Sequence, residues 1–247
     1  MTRVRGCYLL ASGALIFATA CNKGQETGSV TSKTSAGTSN APSSETLENR
    51  NLALVRVVNA IPGESAVIYA GDSAAFSAVG YKTATEFHKI PDNRFDFKLG
   101  SPSNPRAENR ENLSGGGHYT IVAMPDAGGA DKRNLRVLDD DLKSVPADKA
   151  RVRVINAVPG DLEISVFVRG RKDPLFDGIN FKSEAGWSEI DPIAGTLEIR
   201  PEGKKNVLIS QPEVKFEGGK SYTLVVAGRA TKPDLIKIED EVAPSTQ

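Results

Sequence analysis

The chain contains one long internal repeat. Residues 55–64, VRVVNAIPGE, return as VRVINAVPGD at residues 152–161, with seven of the ten positions identical. Three further blocks recur behind them in the same order, at offsets between 97 and 103 residues. A unit of about 95 residues has therefore been duplicated, and small loop insertions explain the drift in offset. The duplication predicts two domains of one fold, so each candidate site in one copy can be compared with its counterpart in the other.

The first 21 residues predict an export signal. Arg3 and Arg5 precede an uncharged apolar run that is too short to span a bilayer, and small residues lead directly into Cys21. This arrangement resembles the bacterial lipobox, although Ala18 stands where that motif usually has Leu. The resemblance implies that Cys21 is acylated, with palmitate or a similar chain, and becomes the mature N-terminus. Simple cleavage near Cys21 by an ordinary secretory route is the alternative.

Cysteine usage favours lipidation. Cys7 lies inside the signal and is the only cysteine besides Cys21, so the mature chain can form no internal disulfide. Several acyl chains hold a protein firmly to a lipid bilayer, whereas a single chain, at about 0.8 kcal/mol per buried CH₂, anchors it marginally. Asn22 follows the cysteine where an Asp would suggest retention in the inner membrane. We therefore expect an exported lipoprotein of the cell envelope, anchored in the outer membrane.

Residues 22–50 predict a tether. Eleven of these 29 residues are Ser or Thr, and none is aromatic. Such a segment buries too little apolar surface to offset the entropy of ordering it, so we expect it to be disordered. Its mean reach is on the order of 30 Å, which would hold a folded unit clear of the lipid headgroups. A role of the segment in binding is the alternative.

After the tether, the pattern is typical of strands separated by turns. Val55 and Val57 point to one face of a strand, and the same alternation recurs in the second copy. Further candidate strands are residues 66–70, 86–90, 94–99, 119–124 and 135–138, and then 163–168, 196–200, 222–227 and 235–238. We predict two β-sandwich domains, residues 51–143 and 150–243. The junction at residues 143–149 is short, so the domains should keep a preferred relative orientation.

A glycine turn followed by Tyr-x-apolar occurs in both copies, at Tyr119 and Tyr222. This motif resembles the tyrosine corner of Greek-key sandwiches, whose hydroxyl group bonds to the backbone a few residues upstream. Antibody domains carry a cysteine two residues after that tyrosine, where this chain has Ile121 and Leu224. We therefore predict an all-β chain of two tandem immunoglobulin- or fibronectin-like Greek-key sandwiches, with Tyr119 superposing on Tyr222.

Three blocks together resemble a known family. VRVxNAxPG, the aromatic-Lys-Thr/Ser turn and the GGxxYT strand are similar to the bacterial domain of unknown function numbered 4397 (DUF4397). The resemblance covers roughly residues 52–142 and 150–242, which is nearly all of the chain expected to be ordered. It implies tandem β-sandwiches in an exported envelope protein. It implies no activity and no catalytic residues.

The histidines do not predict a catalytic site. His88 and His118 both lie in the first copy, where the second copy has Ser188 and Ser221. A site inherited through the duplication would be expected to survive with its partners in at least one copy, and neither Gly-x-Ser-x-Gly nor His-Glu-x-x-His occurs. We therefore expect ordinary strand histidines and predict no catalytic, cofactor-binding or metal-binding residues.

The acidic run at residues 139–141 recurs at residues 239–241, with Glu at both ends of the second run. Clustered carboxylates can hold Ca²⁺, but usually with a glycine-bent loop between the ligands. Here the acids are consecutive, and successive strand residues point to opposite sides. We interpret both runs as solvated charge that blunts strand-edge pairing, with a metal site as the alternative.

An aromatic residue precedes an isoleucine by three positions in both copies. Phe87 stands before Ile90, and Trp187 stands before Ile190. Strict alternation puts the aromatic ring on the face opposite the isoleucine, so a core isoleucine leaves the ring facing outward. Phe87 and Trp187 are therefore our candidates for contact with a ligand, either a sugar ring or a protein partner. Cover by a bulge or a neighbouring loop is the alternative.

The mature chain has no excess of positive charge that would attract nucleic acid, since it contains 29 basic and 31 acidic residues and its sequence shows no basic stripe. We predict a non-catalytic envelope module, without a cofactor, that serves adhesion, envelope structure or binding of an unknown envelope protein or glycan. The alternative is a carbohydrate-active or other hydrolase that uses Glu86, Asp191 or Glu198. A carboxylate pair with raised pKa in a deep cleft would favour the hydrolase.

Overall fold

A computed structural model describes residues 51–129 and 131–240. The predicted signal, Cys21 and the tether lie outside these ranges. Sixteen β-strands and no α-helix occur in the part of the chain described. No helix capable of crossing a membrane is therefore present among those residues.

Each repeat contributes eight strands. Repeat 1 contains β1 (Leu52–Asn59), β2 (Ala66–Ala70), β3 (Ser73–Val79), β4 (His88–Pro91), β5 (Arg94–Leu99), β6 (Ala107–Asn112), β7 (His118–Pro125) and β8 (Arg133–Asp139). Repeat 2 contains β9 (Ala150–Asn156), β10 (Ile164–Val168), β11 (Phe176–Ile179), β12 (Glu184–Ile190), β13 (Ile193–Pro201), β14 (Ile209–Phe216), β15 (Ser221–Arg229) and β16 (Lys232–Asp240).

The two repeats have the same topology. Each has an inner sheet, ordered β4-β1-β7-β8 or β12-β9-β15-β16, and an outer sheet, ordered β3-β2-β5-β6 or β11-β10-β13-β14. The first and seventh strands of each repeat run parallel, with Val55 opposite Tyr119 and Val152 opposite Tyr222. The chain crosses between the sheets four times in each repeat, so the predicted pair of β-sandwiches is confirmed, together with the strand-for-strand match.

Each sandwich closes around its own apolar core. Val55, Val57 and Ile121 of the first inner sheet pack against Ile68 and Phe97 of the first outer sheet, and all five are fully buried. A separate cluster forms the core of the second sandwich. The alternating valines predict this correctly, because residues two apart on a strand share a face.

Several edge strands carry no sequence signal. β6 reads AENREN without one large apolar residue, and β14 contains Pro212. Both lie at the edge of an outer sheet, where a strand pairs on one side and a proline is tolerated. Hydrogen bonding to β5 and β13 places these strands, so an apolar pattern does not reveal them.

Both tyrosine corners form. The hydroxyl oxygen of Tyr119 accepts a hydrogen bond from the backbone N–H of Ser114 at 2.9 Å, and that of Tyr222 accepts one from Glu217 at 3.0 Å. Both rings are buried. The bond spans five residues in each copy, as the motif predicts, and it fixes the glycine turn that precedes β7 or β15.

Removing either hydroxyl group should therefore cost stability. We expect Tyr119→Phe and Tyr222→Phe each to lower the free energy of unfolding by about 0.5–1.5 kcal/mol, because a partly buried backbone N–H loses its partner. Urea titration of both variants beside the wild-type chain measures this. A Tyr69→Phe variant, which removes a hydroxyl group outside both corner bonds, serves as a control. Unchanged stability in both tyrosine variants would contradict a structural role of the bond.

Candidate functional site

The two inner sheets face each other and bury a third apolar cluster. Its members include three residues from repeat 1 and three from repeat 2: Val58, Val122, Leu138, Ile155, Val225 and Ile236. The central inner strands are consequently buried on both faces, which explains their almost continuous apolar sequences. Both sandwiches fall within one compact unit, in agreement with a preferred relative orientation.

Two ion pairs that cross this interface are buried on both sides. The guanidinium group of Arg56 donates to the carboxylate of Asp240, and that of Arg153 donates to Asp140. Their side chains are almost inaccessible, at 4% and 0% exposure for the first pair and 1% and 0% for the second. Charges withdrawn from water in this way need complete hydrogen bonding to be tolerated.

Two threonines complete that hydrogen bonding. Arg56 Nε donates to Thr120 Oγ1 at 2.8 Å, and the threonine hydroxyl donates to Asp140 at 2.5 Å. In repeat 2, Arg153 Nε donates to Thr223 at 2.9 Å, and Thr223 donates to Asp240 at 2.8 Å. Each aspartate thus accepts from the threonine of its own repeat and from the arginine of the other. We call these six residues the interface network.

The interface network is reciprocal. Arg56 and Arg153 are counterparts in the repeat, and so are Asp140 and Asp240. Each arginine makes its shortest ion pair with the aspartate of the opposite repeat, which is the contact pattern of an isologous, twofold interface, and Arg56 also lies 3.8 Å from Asp140 of its own repeat. Replacing such buried pairs by apolar residues is often close to neutral for stability, so we interpret their role as fixing the register of docking.

The interpretation of the acidic runs as solvated charge is wrong for their central residues. Asp140 and Asp240 are buried, whereas the flanking Asp139, Asp141 and Glu239 are exposed. Alternation along the strand is as expected, but the second face of each sheet meets the other domain instead of water. An arginine and an acid at equivalent places in both copies were the sequence signal for this interface.

The repeated aromatic-Lys turns also join the domains. Lys82 and Lys182 both adopt positive φ, at 65° and 63°, which is uncommon for a residue with a side chain. Lys82 contacts Asp234 of repeat 2 at 3.1 Å, and Lys182 contacts Asp126 of repeat 1 at 2.7 Å. Tyr81 donates its hydroxyl to Asp234 at 2.8 Å, and burial together with that carboxylate raises the pKa of Tyr81.

Phe87 and Trp187 occupy equivalent places beside the interface network. Neither ring belongs to a sandwich core, as alternation predicts, and both are half-buried. The Phe87 ring centroid lies 4.8 Å from the guanidinium carbon of Arg56. Trp187 covers two such groups, at 4.5 Å from Arg153 and 4.7 Å from Arg151. The rings therefore make cation–π contacts with buried arginines, and their contact with a ligand stays a prediction.

The residues that surround Phe87 differ from those that surround Trp187 in the second copy. Phe87 lies edge-on to His118 at 5.4 Å between ring centroids, whereas the second copy has Trp187 and, in place of the histidine, Ser221. Burial is the main cause of a lowered pKa of His118. Trp187 Nε1 and Ser221 Oγ are buried without a hydrogen-bond partner in the described ranges. His88 stacks on Phe76 at 4.6 Å, so both histidines pack against aromatic rings.

Two open clefts lie along the interface. One, of about 560 Å³, forms where the turns of both repeats meet, and Pro62 and Pro159 line it as counterparts. The other, of about 320 Å³, runs between Phe87 and β16 and is bordered by Lys82 and Glu86. Neither cleft is an enclosed cavity.

Two carboxylates of the first cleft, those of Glu64 and Asp126, are held ionised. Hydrogen bonds from Arg133 and Arg106 keep the pKa of Glu64 below its usual range. Lys182 and the Gly128 amide do the same for Asp126. A general acid requires a raised carboxyl pKa, and these groups are shifted in the opposite direction.

The three candidate hydrolase carboxylates do not form a pair. Glu198 lies between Arg169 and Arg200, at 2.7 and 2.6 Å, and these hydrogen bonds lower its pKa. Asp191 bonds Lys149 at 2.7 Å, which also lowers its pKa, and Glu86 lies on the other repeat. Every carboxyl group with a clear pKa shift in residues 51–129 and 131–240 is shifted downward.

A comparison with known protein families shows to which family the chain belongs. The profile described as "Domain of unknown function (DUF4397)" matches residues 53–167 and again residues 150–247. The chain belongs to the DUF4397 family. The matches overlap at the start of repeat 2 and together span nearly four fifths of the sequence. They confirm the resemblance carried by the repeated motifs.

Other comparisons add little to the DUF4397 assignment. The chain is similar to the solved C-terminal domain of AlgF from P. aeruginosa, with 24% identity over 38% of this chain and 99% of that domain, at a TM-score of 0.32. No curated protein matches the chain significantly.

Proposed function

We propose that this DUF4397 chain is a non-catalytic lipoprotein of the bacterial cell envelope, in which the fused sandwiches form one binding or structural module. The observation that carries the proposal is the interface network, because a buried and hydrogen-bonded contact makes the two domains one unit. Such a unit presents two outer sheets and the open clefts at a constant spacing. A fixed spacing suits adhesion, envelope structure or capture of a partner.

The ionisation of the carboxylates supports binding over catalysis. Glu198 and Asp191 are each held by cations, and the described clefts are open, so the features that favour a hydrolase are not met. In the second cleft, Phe87 offers an aromatic ring beside Lys82 and Glu86. An aromatic ring flanked by polar groups suits a sugar or an exposed protein side chain.

The proposal is tested with glycans and envelope extracts on the full chain. We expect the wild-type chain to retain an envelope glycan or protein that remains unchanged on prolonged incubation. Glu198→Gln should retain it equally, since Glu198 only pairs with arginines on an outer sheet. Shortened glycan or cleaved partner with the wild-type chain, lost in Glu198→Gln, would support the hydrolase instead.

The location has its own test. We expect Cys21→Ser to move the protein from the membrane fraction to the soluble fraction and to abolish labelling with palmitate, because the lipid is the proposed anchor. A Cys7→Ser variant, altered inside the signal, is the matched control and should stay with the membrane. Continued sedimentation and labelling of Cys21→Ser would contradict the lipoprotein assignment.

A further inference from the structure

We propose that the inner-sheet face of each repeat is a self-association surface, and that the partner it fits is a second copy of the same repeat. The face is covered in this chain by the other repeat, so its chemistry is known from the contacts it makes. Those contacts are reciprocal, and reciprocity is what a twofold interface between identical surfaces requires.

The buried arginine and aspartate of each repeat are complementary to the same two residues in a second copy of that repeat. Repeat 1 carries both Arg56 and Asp140 on its inner face, and repeat 2 carries Arg153 and Asp240. Two copies of repeat 1, placed as the two repeats are now, would form an Arg56–Asp140 pair twice. The threonine bond that supports each aspartate, from Thr120 in repeat 1, comes from the same repeat and would be kept.

The apolar part of the face is also nearly self-complementary. Val58 corresponds to Ile155, and Val122 corresponds to Val225, so these positions keep similar volumes. Other counterpart pairs differ, among them Met124 and Ala227, Arg136 and Ile236, and Ala84 and Glu184. Arg136 and Glu184 form an ion pair between the repeats at 3.5 Å that two like repeats would lack, but each repeat carries the buried arginine and aspartate that a second copy would need.

The covalent junction explains why the pairing is internal. Repeat 1 ends its last strand at Asp139 and repeat 2 begins its first at Ala150, so the two faces are held close together. A short connection gives an effective concentration in the millimolar range, which favours pairing within one chain over pairing between chains. Disrupting the interface between the two repeats of one chain should therefore expose both inner-sheet faces, so that they can bind other copies of the chain.

An exchange of charges within repeat 2 performs this test. In Arg153→Asp/Asp240→Arg, Arg56 faces the new arginine and Asp140 faces the new aspartate, so the internal interface has two like-charge contacts. Each repeat remains complementary to a second copy of itself. We expect the mass measured by light scattering after size exclusion to at least double at micromolar concentration. All chains carry Cys21→Ser, which excludes association through acyl chains.

Two control variants make the result specific. Adding Arg56→Asp/Asp140→Arg to the first variant restores both internal pairs, so the quadruple variant should be monomeric. Arg56→Asp/Arg153→Asp also places two like-charge contacts inside the chain, but it leaves no repeat complementary to itself and should not associate. Association of this acidic variant to the same extent would overturn the proposal, because exposed apolar surface would then explain it.

Two further results would overturn the proposal. One is a folded, monomeric Arg153→Asp/Asp240→Arg variant. The other is an Arg153→Asp/Asp240→Arg variant that does not fold although the quadruple variant folds. If the proposal holds, a second copy covers the unaltered face of repeat 1 and keeps the double variant folded. Circular dichroism on each variant separates these results.

Discussion

Replacing Arg153 by Met should lower the free energy of unfolding by about 3–5 kcal/mol, because the substitution leaves the carboxylate of Asp140 buried without its closest cation. The side chain of Asp140 is completely inaccessible, and its remaining partners are the hydroxyl of Thr120 and the more distant guanidinium group of Arg56, at 3.8 Å. A methionine side chain is similar in length to that of arginine, so the loss of packing contacts adds little to the destabilisation. Urea denaturation followed by circular dichroism measures the change.

The matched control removes both charges of the same pair. Arg153→Met/Asp140→Leu should recover most of the loss, because a buried ion pair exchanged for apolar residues of similar volume is often close to neutral. A loss below about 1 kcal/mol for Arg153→Met alone would mean that water reaches Asp140, which contradicts the burial of the interface network.

Trp187→Ala should also destabilise the chain strongly, by about 3 kcal/mol, at the lower end of the range for a large aromatic residue because the ring is only half-buried. The ring covers Arg153 and Arg151, so its removal admits water to the interface network. Trp187→Phe reproduces the residue of repeat 1 and should cost less than about 1.5 kcal/mol. Thermal and urea unfolding of both variants test this.

The same variants separate packing from ligand contact. Phe87→Ala should destabilise less than Trp187→Ala, since Phe87 covers one guanidinium group and borders an open cleft. If Trp187→Ala abolishes glycan or protein binding while its stability is unchanged, the tryptophan acts as a ligand contact instead of cover for the arginines. Binding and unfolding should therefore be measured on the same preparations.

The sequence by itself determined the duplication, the β class and the tyrosine corners. These are local or repeated features: alternating valines, glycine turns and a tyrosine that bonds five residues upstream each act within a short stretch of chain. The strands at residues 66–70 and 94–99 were predicted with the bounds they have, because their apolar residues alternate or their ends are marked by turns. The resemblance to DUF4397 was carried by the same repeated blocks, and the family match over residues 53–167 and 150–247 confirms it.

Only the tertiary structure decided what the second face of each inner sheet does. A strand pattern says which residues share a face, but it does not say whether that face meets water or another domain. Asp140 and Arg153 lie in different repeats and meet across the interface, so no local rule joins them. Edge strands such as β6 were likewise fixed by hydrogen bonding to a neighbour and not by their own residues. The ion pairs between the repeats and the packing of the two inner sheets join residues that are distant in the sequence. They form only in the folded chain, and they hold the two repeats together as one unit.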